Sequence, residues 1–157
     1  MGRNKQLQEL ALLISNELSN YIKVHDLIHS ESETFKSTLK NILGFGTPMA
    51  KLLQEAEALI PVWDSIEVKL NDFKTQEYSM LSEDQKYYFD LLSRFVTAIK
   101  KTVSCLVSKQ QLLAEGVEKF GSITMKEQQK RRAEYENSIE EYLRIGRELN
   151  ESRKAIF

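Results

Sequence analysis

Apolar residues recur every three or four positions along almost the whole chain. Leu7, Leu10, Ile14, Leu18, Tyr21, His25, Ile28, Ser32, Phe35, Leu39 and Ile42 make the first such series. Steps of three and four keep these residues on one stripe of an α-helix, because about 3.6 residues complete a turn. A mean step near 3.5 is also the period of shallowly crossing, coiled-coil-like helices. The spacing predicts one long helix over about 5–43 in which only His25 and Ser32 dilute the stripe. Ser30 with Glu33 forms a capping-box pattern at which this helix could break and restart.

Gly44-Phe45-Gly46-Thr47-Pro48 then punctuates the chain. Two glycines suit a turn, threonine suits an N-cap, and proline suits the first helical position. A second stripe, Leu52, Ala56, Leu59, Trp63, Ile66, Leu70 and Phe73, predicts a helix over about 48–80. It passes through Pro61 in phase, so the expectation there is a kink and not a reversal. Ser82-Glu83-Asp84-Gln85 is the strongest helix start in the chain, with a capping serine and a glutamine reaching back.

The third stripe, over about 83–120, is Tyr88, Leu92, Phe95, Ile99, Thr102, Leu106, Gln110, Leu113 and Val117. Tyr87, Leu91, Val96, Val103 and Val107 widen it, which predicts burial on more than one side. After a turn around 120–123, a last helix over about 124–154 carries Tyr135, Ile139, Tyr142, Gly146 and Leu149. Four long helices joined by short turns must run antiparallel. The expected fold is all-α: an elongated up-down-up-down four-helix bundle, its second helix kinked near Pro61, forming a single domain over 1–157.

Composition narrows the function classes. With 157 residues the chain can bury a core without disulfides, and 41% hydrophobic with 29% charged content is neither membrane-embedded nor disordered. Lys+Arg (22) nearly cancels Asp+Glu (23), so no global field favours nucleic acid. Cys105 is the lone cysteine and cannot make an internal disulfide. The N-terminal residues read as amphipathic and not as a signal-peptide core, so a reducing, cytoplasmic location is the expectation.

Candidate chemistry is sparse. His25 and His29 share a helical face with Glu33, the raw material of a metal-binding bundle. Di-iron bundles pair Glu-x-x-His motifs from two helices, and Glu55 and Glu57 have no histidine three positions on, so no metal is expected. Lys101 and Lys109 flank Cys105 and could lower its pKa. A mid-helix thiol nevertheless lacks a helix N-terminus or oxyanion hole. The chain contains no nucleophile elbow, phosphate loop or dinucleotide fingerprint, so neither an enzyme nor a cofactor is expected.

Charge is uneven despite its small sum. Between Leu91 and Ala114 stand Arg94, Lys100, Lys101 and Lys109 with no acid. Lys126, Lys130, Arg131 and Arg132 cluster further on. An up-down bundle would place that cluster near Phe45 as a basic tip, blunted by Glu55, Glu115 and Glu118. The leading expectation is a non-catalytic interaction or structural protein acting through protein–protein contacts. Self-association as a homo-oligomer, a dimer foremost, belongs to that reading, because Gly146 in a seam allows close approach within or between chains. The alternatives are an anionic membrane surface or ligand at the basic tip, with Phe45, Lys126, Lys130, Arg131 and Arg132 as contacts, and a metal-binding bundle.

Overall fold

The computed structural model describes residues 3–32, 49–118 and 124–157. They form α1 (Arg3–Ser32), α2 (Met49–Glu57), α3 (Leu59–Glu77), α4 (Glu83–Glu118) and α5 (Met125–Ile156), with a 3₁₀ turn over Tyr78–Met80. There is no strand among the described residues. The expected extension of the first helix to 43 and the turns at 44–48 and 120–123 lie outside them.

The second predicted helix is divided where its sequence is weakest. Only Ala58 separates α2 from α3, and it stays in the helical region (φ −62°, ψ −20°). Its amide still donates to the Gln54 carbonyl at 3.0 Å. Pro61 follows within the first turn of α3 and has no N–H to offer the Glu57 carbonyl. The expected helical end at 80 is corrected to 77, because the last residues tighten into the 3₁₀ turn. All the residues of the second stripe, before and after Pro61, are buried.

Two caps act as their sequences require. Ser82 and Gln85 bond reciprocally: the Gln85 amide donates to Ser82 Oγ at 3.3 Å and the Ser82 amide donates to Gln85 Oε1 at 3.0 Å. Thr124 caps α5 by accepting from the Glu127 amide at 3.2 Å. Each satisfies amides that the first helical turn leaves without partners.

The architecture is a four-helix arrangement, α2 and α3 together taking one position, with α4 as its hub. α4 packs against every other helix. That position explains its wide apolar surface: Tyr88, Leu92, Phe95 and Ile99 are buried, and so are Leu91, Val96, Val103 and Val107. Tyr87 is a correction, since it stands 58% exposed on the remaining outward strip. On α5 the buried row is Tyr135, Ser138, Tyr142 and Ile145, while Ile139, Gly146 and Leu149 are half-buried at its edge.

Three of the four cations in the acid-free stretch of α4, Arg94, Lys100 and Lys101, meet acids of the neighbouring helices. Lys100 lies between Asp64 (2.8 Å) and Glu67 of α3. Lys101 meets Glu141 of α5 at 2.7 Å, and Arg94 lies 3.8 Å from Glu148. Asp64 foremost, then Glu67, raises the ammonium pKa of Lys100, and Lys101 in turn holds the Glu141 carboxyl below its usual range. What looks like a basic run in sequence is therefore an interhelical charge ladder.

Candidate functional site

α1 and α5 meet across α4 in two different ways. At one end, three ring side chains bridge them. The Tyr135 hydroxyl lies 2.8 Å from the Tyr21 hydroxyl and 2.6 Å from His25 Nδ1. Tyr142 presents its edge to Tyr21 with ring centres 5.9 Å apart. Lys109 of α4 holds its ammonium 5.5 Å from the centre of the Tyr135 ring, a cation–π distance. Burial, followed by the adjoining Tyr135, pushes the Tyr21 phenol far above the ordinary range.

At the other end a hollow of about 640 Å³ opens between the two helices. Its floor is α4's Tyr88, Leu92 and Phe95 together with Tyr142. The walls carry Leu12 from α1 and Leu143 from α5, 62% and 46% exposed. Gly146 shapes this floor. A Cβ there would sit 3.2 Å from Phe95 Cε2, so the missing side chain lets the Phe95 ring lie against α5. The close approach expected at Gly146 is thus made by a ring of the same chain. Phe157 closes one end, edge-on to Tyr88 at 5.5 Å.

Arg147 and Arg153 stand on the rim of the hollow, and among the described residues no Asp or Glu lines it. Neighbouring cations on α5 are already paired, Arg144 with Glu148 at 2.8 Å and Lys154 with Glu151 at 2.9 Å. Among the described residues neither Arg147 nor Arg153 joins an ion pair. Burial raises the pKa of Tyr88, and the positive charge of Arg153 works against that rise.

The residues singled out from sequence are differently placed. Phe45 lies outside the described residues. Lys126 and Lys130 are exposed, but Lys130 is 3.9 Å and Arg131 3.3 Å from Glu134, and Arg132 is 2.8 Å from Glu136. Arg131 and Arg132 do come together with Lys109 around a smaller hollow of about 300 Å³.

His25 is engaged with Tyr135 and stacks on His29, with ring centres 5.9 Å apart. Among the described residues no group of three or more His, Cys, Asp and Glu side chains is placed to hold a metal ion. Cys105 is half-buried, and desolvation raises its pKa despite Lys101 and Arg131 nearby. No helix among the described residues is long and apolar enough to cross a membrane.

The hollow was not read from the sequence, although part of it was signalled there. Arg153 has no acid three or four positions away in either direction, unlike Lys130, Arg131, Arg132 and Arg144. Leu12 and Leu143 lie off the predicted stripes, which marks apolar surface the bundle core does not use. Compared with protein-family models, curated proteins and solved structures, the chain matches none.

Proposed function

We propose that this protein is a non-catalytic helical interaction module, acting through protein–protein contacts at the open end of the α1–α5 seam. The observation that carries the reading is the pair of exposed leucines, Leu12 and Leu143, flanking an apolar floor. Exposed apolar walls around a concave apolar floor are the surface pattern of a contact site. The reading takes the chain as an up-down-up-down bundle whose second rod, α2 with α3, is kinked beside Pro61. Contacts such as Phe73 with Phe89, Gln111 with Glu57 and Lys101 with Glu141 support that order, since rising numbers on one helix meet falling numbers on the next.

A photo-crosslinking residue at position 143, with one at the somewhat more exposed Val68 on α3 as a control, tests the reading in the native host. A discrete adduct from 143 and none from 68 is the expected result, and an adduct with a second copy would make the contact a homodimer. Equal or absent labelling from the two positions would remove the groove as a contact surface.

The basic-tip reading has one specific observation in its favour, the convergence of Lys109, Arg131 and Arg132 on one hollow. It ranks second because Glu134 and Glu136 already pair with the two arginines. Anionic vesicles that bind the protein and release it when Arg131 and Arg132 become glutamate would raise it.

A further inference from the structure

We propose that the open groove binds an acidic amphipathic α-helix of another protein, its apolar stripe against Leu12 and Leu143 above the floor and its carboxylates on Arg147 and Arg153. This rests on the reading of the groove as a protein-contact surface and adds the chemistry of what it contacts.

Shape selects a helix. The groove runs beside α1 from Gln8 to Leu18, about 15 Å at 1.5 Å per residue, which is close to three helical turns. A helix of that length presents anchors at i, i+3 or i+4, and i+7 to a groove. A volume of about 640 Å³ would also hold a small molecule. A small molecule sunk on the floor, however, leaves Leu12 and Leu143 in water, 62% and 46% exposed. A helix resting on both walls covers them.

Charge selects an acidic one. Among the described residues the groove is lined by two arginines and no Asp or Glu side chain, and neither arginine is in an ion pair. A guanidinium at the rim steers an acidic partner and rejects a basic one. Arg147 and Arg153 are about 9 Å apart along the α5 axis at 1.5 Å per residue, so the fitting helix carries acids about two turns apart. The same charges disfavour a second copy of this chain. A two-fold pairing puts the same patch on both sides of the contact and would bring four arginines into it with no Asp or Glu from the groove lining.

The test selects helix-forming peptides of about 14 residues from a random display library against the full chain at low salt. Binding is then measured to the wild type, to Leu12→Glu, and to the Arg147→Glu, Arg153→Glu double variant. All three positions lie on the groove's walls or rim, and the variants' circular dichroism checks that they fold. The expected winners carry apolar residues at helical spacing with Asp or Glu alongside, and bind both variants at least tenfold more weakly. Winners without acids that lose binding on Leu12→Glu but not on arginine reversal would overturn the acidic chemistry and leave the contact surface standing. If no peptide is sensitive to either variant, the contact surface fails with it. Dodecanoate bound one-to-one at micromolar concentration, lost on Leu12→Glu where no peptide is selected, would overturn the proposal in favour of a small anionic amphiphile.

Discussion

The two ends of the α1–α5 seam are built from the same two helices over the same α4, yet one is closed and the other open. At the closed end Tyr21, His25 and Tyr135 are long enough to meet in the middle and polar enough to need each other. A hydrogen bond between uncharged side chains, such as that of Tyr21 with Tyr135, contributes about 0.5–1.5 kcal/mol net, and losing a partner inside the protein costs more than that. At the open end, Ala11 and Ser15 on α1 and Gly146 on α5 line the space, and none reaches across it. The bundle is thus pinned by a small polar cluster at one end and left with uncovered apolar surface at the other. The polar contacts that join the two helices and the proposed contact surface lie at opposite ends of one seam.

That separation is most exposed to attack at Tyr135. Replacing it with alanine removes a ring that is 3% exposed, together with the hydroxyl that joins α1 to α5. Loss of a large buried aromatic costs about 3–5 kcal/mol, which urea denaturation will read directly. A loss below about 1 kcal/mol would show that the closed end is not what holds α1 in place. Tyr135→Phe keeps the ring and removes only the shared hydroxyl, so a smaller loss of about 1–3 kcal/mol is expected.

Alkaline pH sharpens the same end. Burial first, then Tyr135, raises the Tyr21 phenol above its ordinary 10.0 in the folded chain. The unfolded chain therefore releases that proton first as pH rises, and the contribution of Tyr21 to stability, full below pH 10, falls above it. Tyr21→Phe is expected to be less stable than wild type at neutral pH, with the difference narrowing between pH 10 and 11. A gap that stays constant across this range would mean that the folded phenol titrates normally.

The closed end was partly legible in sequence and the open end almost not at all, for a physical reason. Periodicity reports the direction in which a side chain leaves its helix. It placed the whole second stripe in the core on both sides of Pro61, and Ser82-Glu83-Asp84-Gln85 at a helix start, because both facts are local. It placed Tyr21 and Tyr135 on inward stripes, but not opposite one another, since that depends on the relative register of two helices far apart in sequence. The distance between two helices has no period at all, so a groove between α1 and α5 leaves only indirect marks, such as Arg153 without a helical acid. Tyr87 failed for a related reason: it borders the buried face of α4, but none of the described helices covers it.

At the open end, large chemical changes should have small thermodynamic consequences. Leu12→Glu and Leu143→Glu each place a carboxylate where a leucine is already 62% or 46% exposed. Substitutions at such positions usually shift stability by less than about 0.5 kcal/mol. Denaturation midpoints close to wild type are therefore expected for both, alongside the large loss at Tyr135. A drop beyond about 2 kcal/mol at either leucine would mean that the groove walls are part of the fold's support, and the contrast between the two ends would disappear.

The smallest effect belongs to Gly146, where two local terms oppose each other. Alanine in a helix interior is favoured over glycine by about 1 kcal/mol. The added Cβ would stand 3.2 Å from Phe95 Cε2, a contact tighter than carbon atoms prefer, so the ring must move by a few tenths of an ångström. Phe95 lies on the floor of the hollow, with open space on one side into which it can yield. Gly146→Ala is therefore expected to stabilise the protein slightly, by less than about 1 kcal/mol, while shifting Phe95 and weakening binding of the proposed helix. If the variant is instead destabilised by more than about 1 kcal/mol, Phe95 is wedged between its neighbours. The open end would then be a rigid, preformed groove whose shape Gly146 maintains at the expense of helix stability.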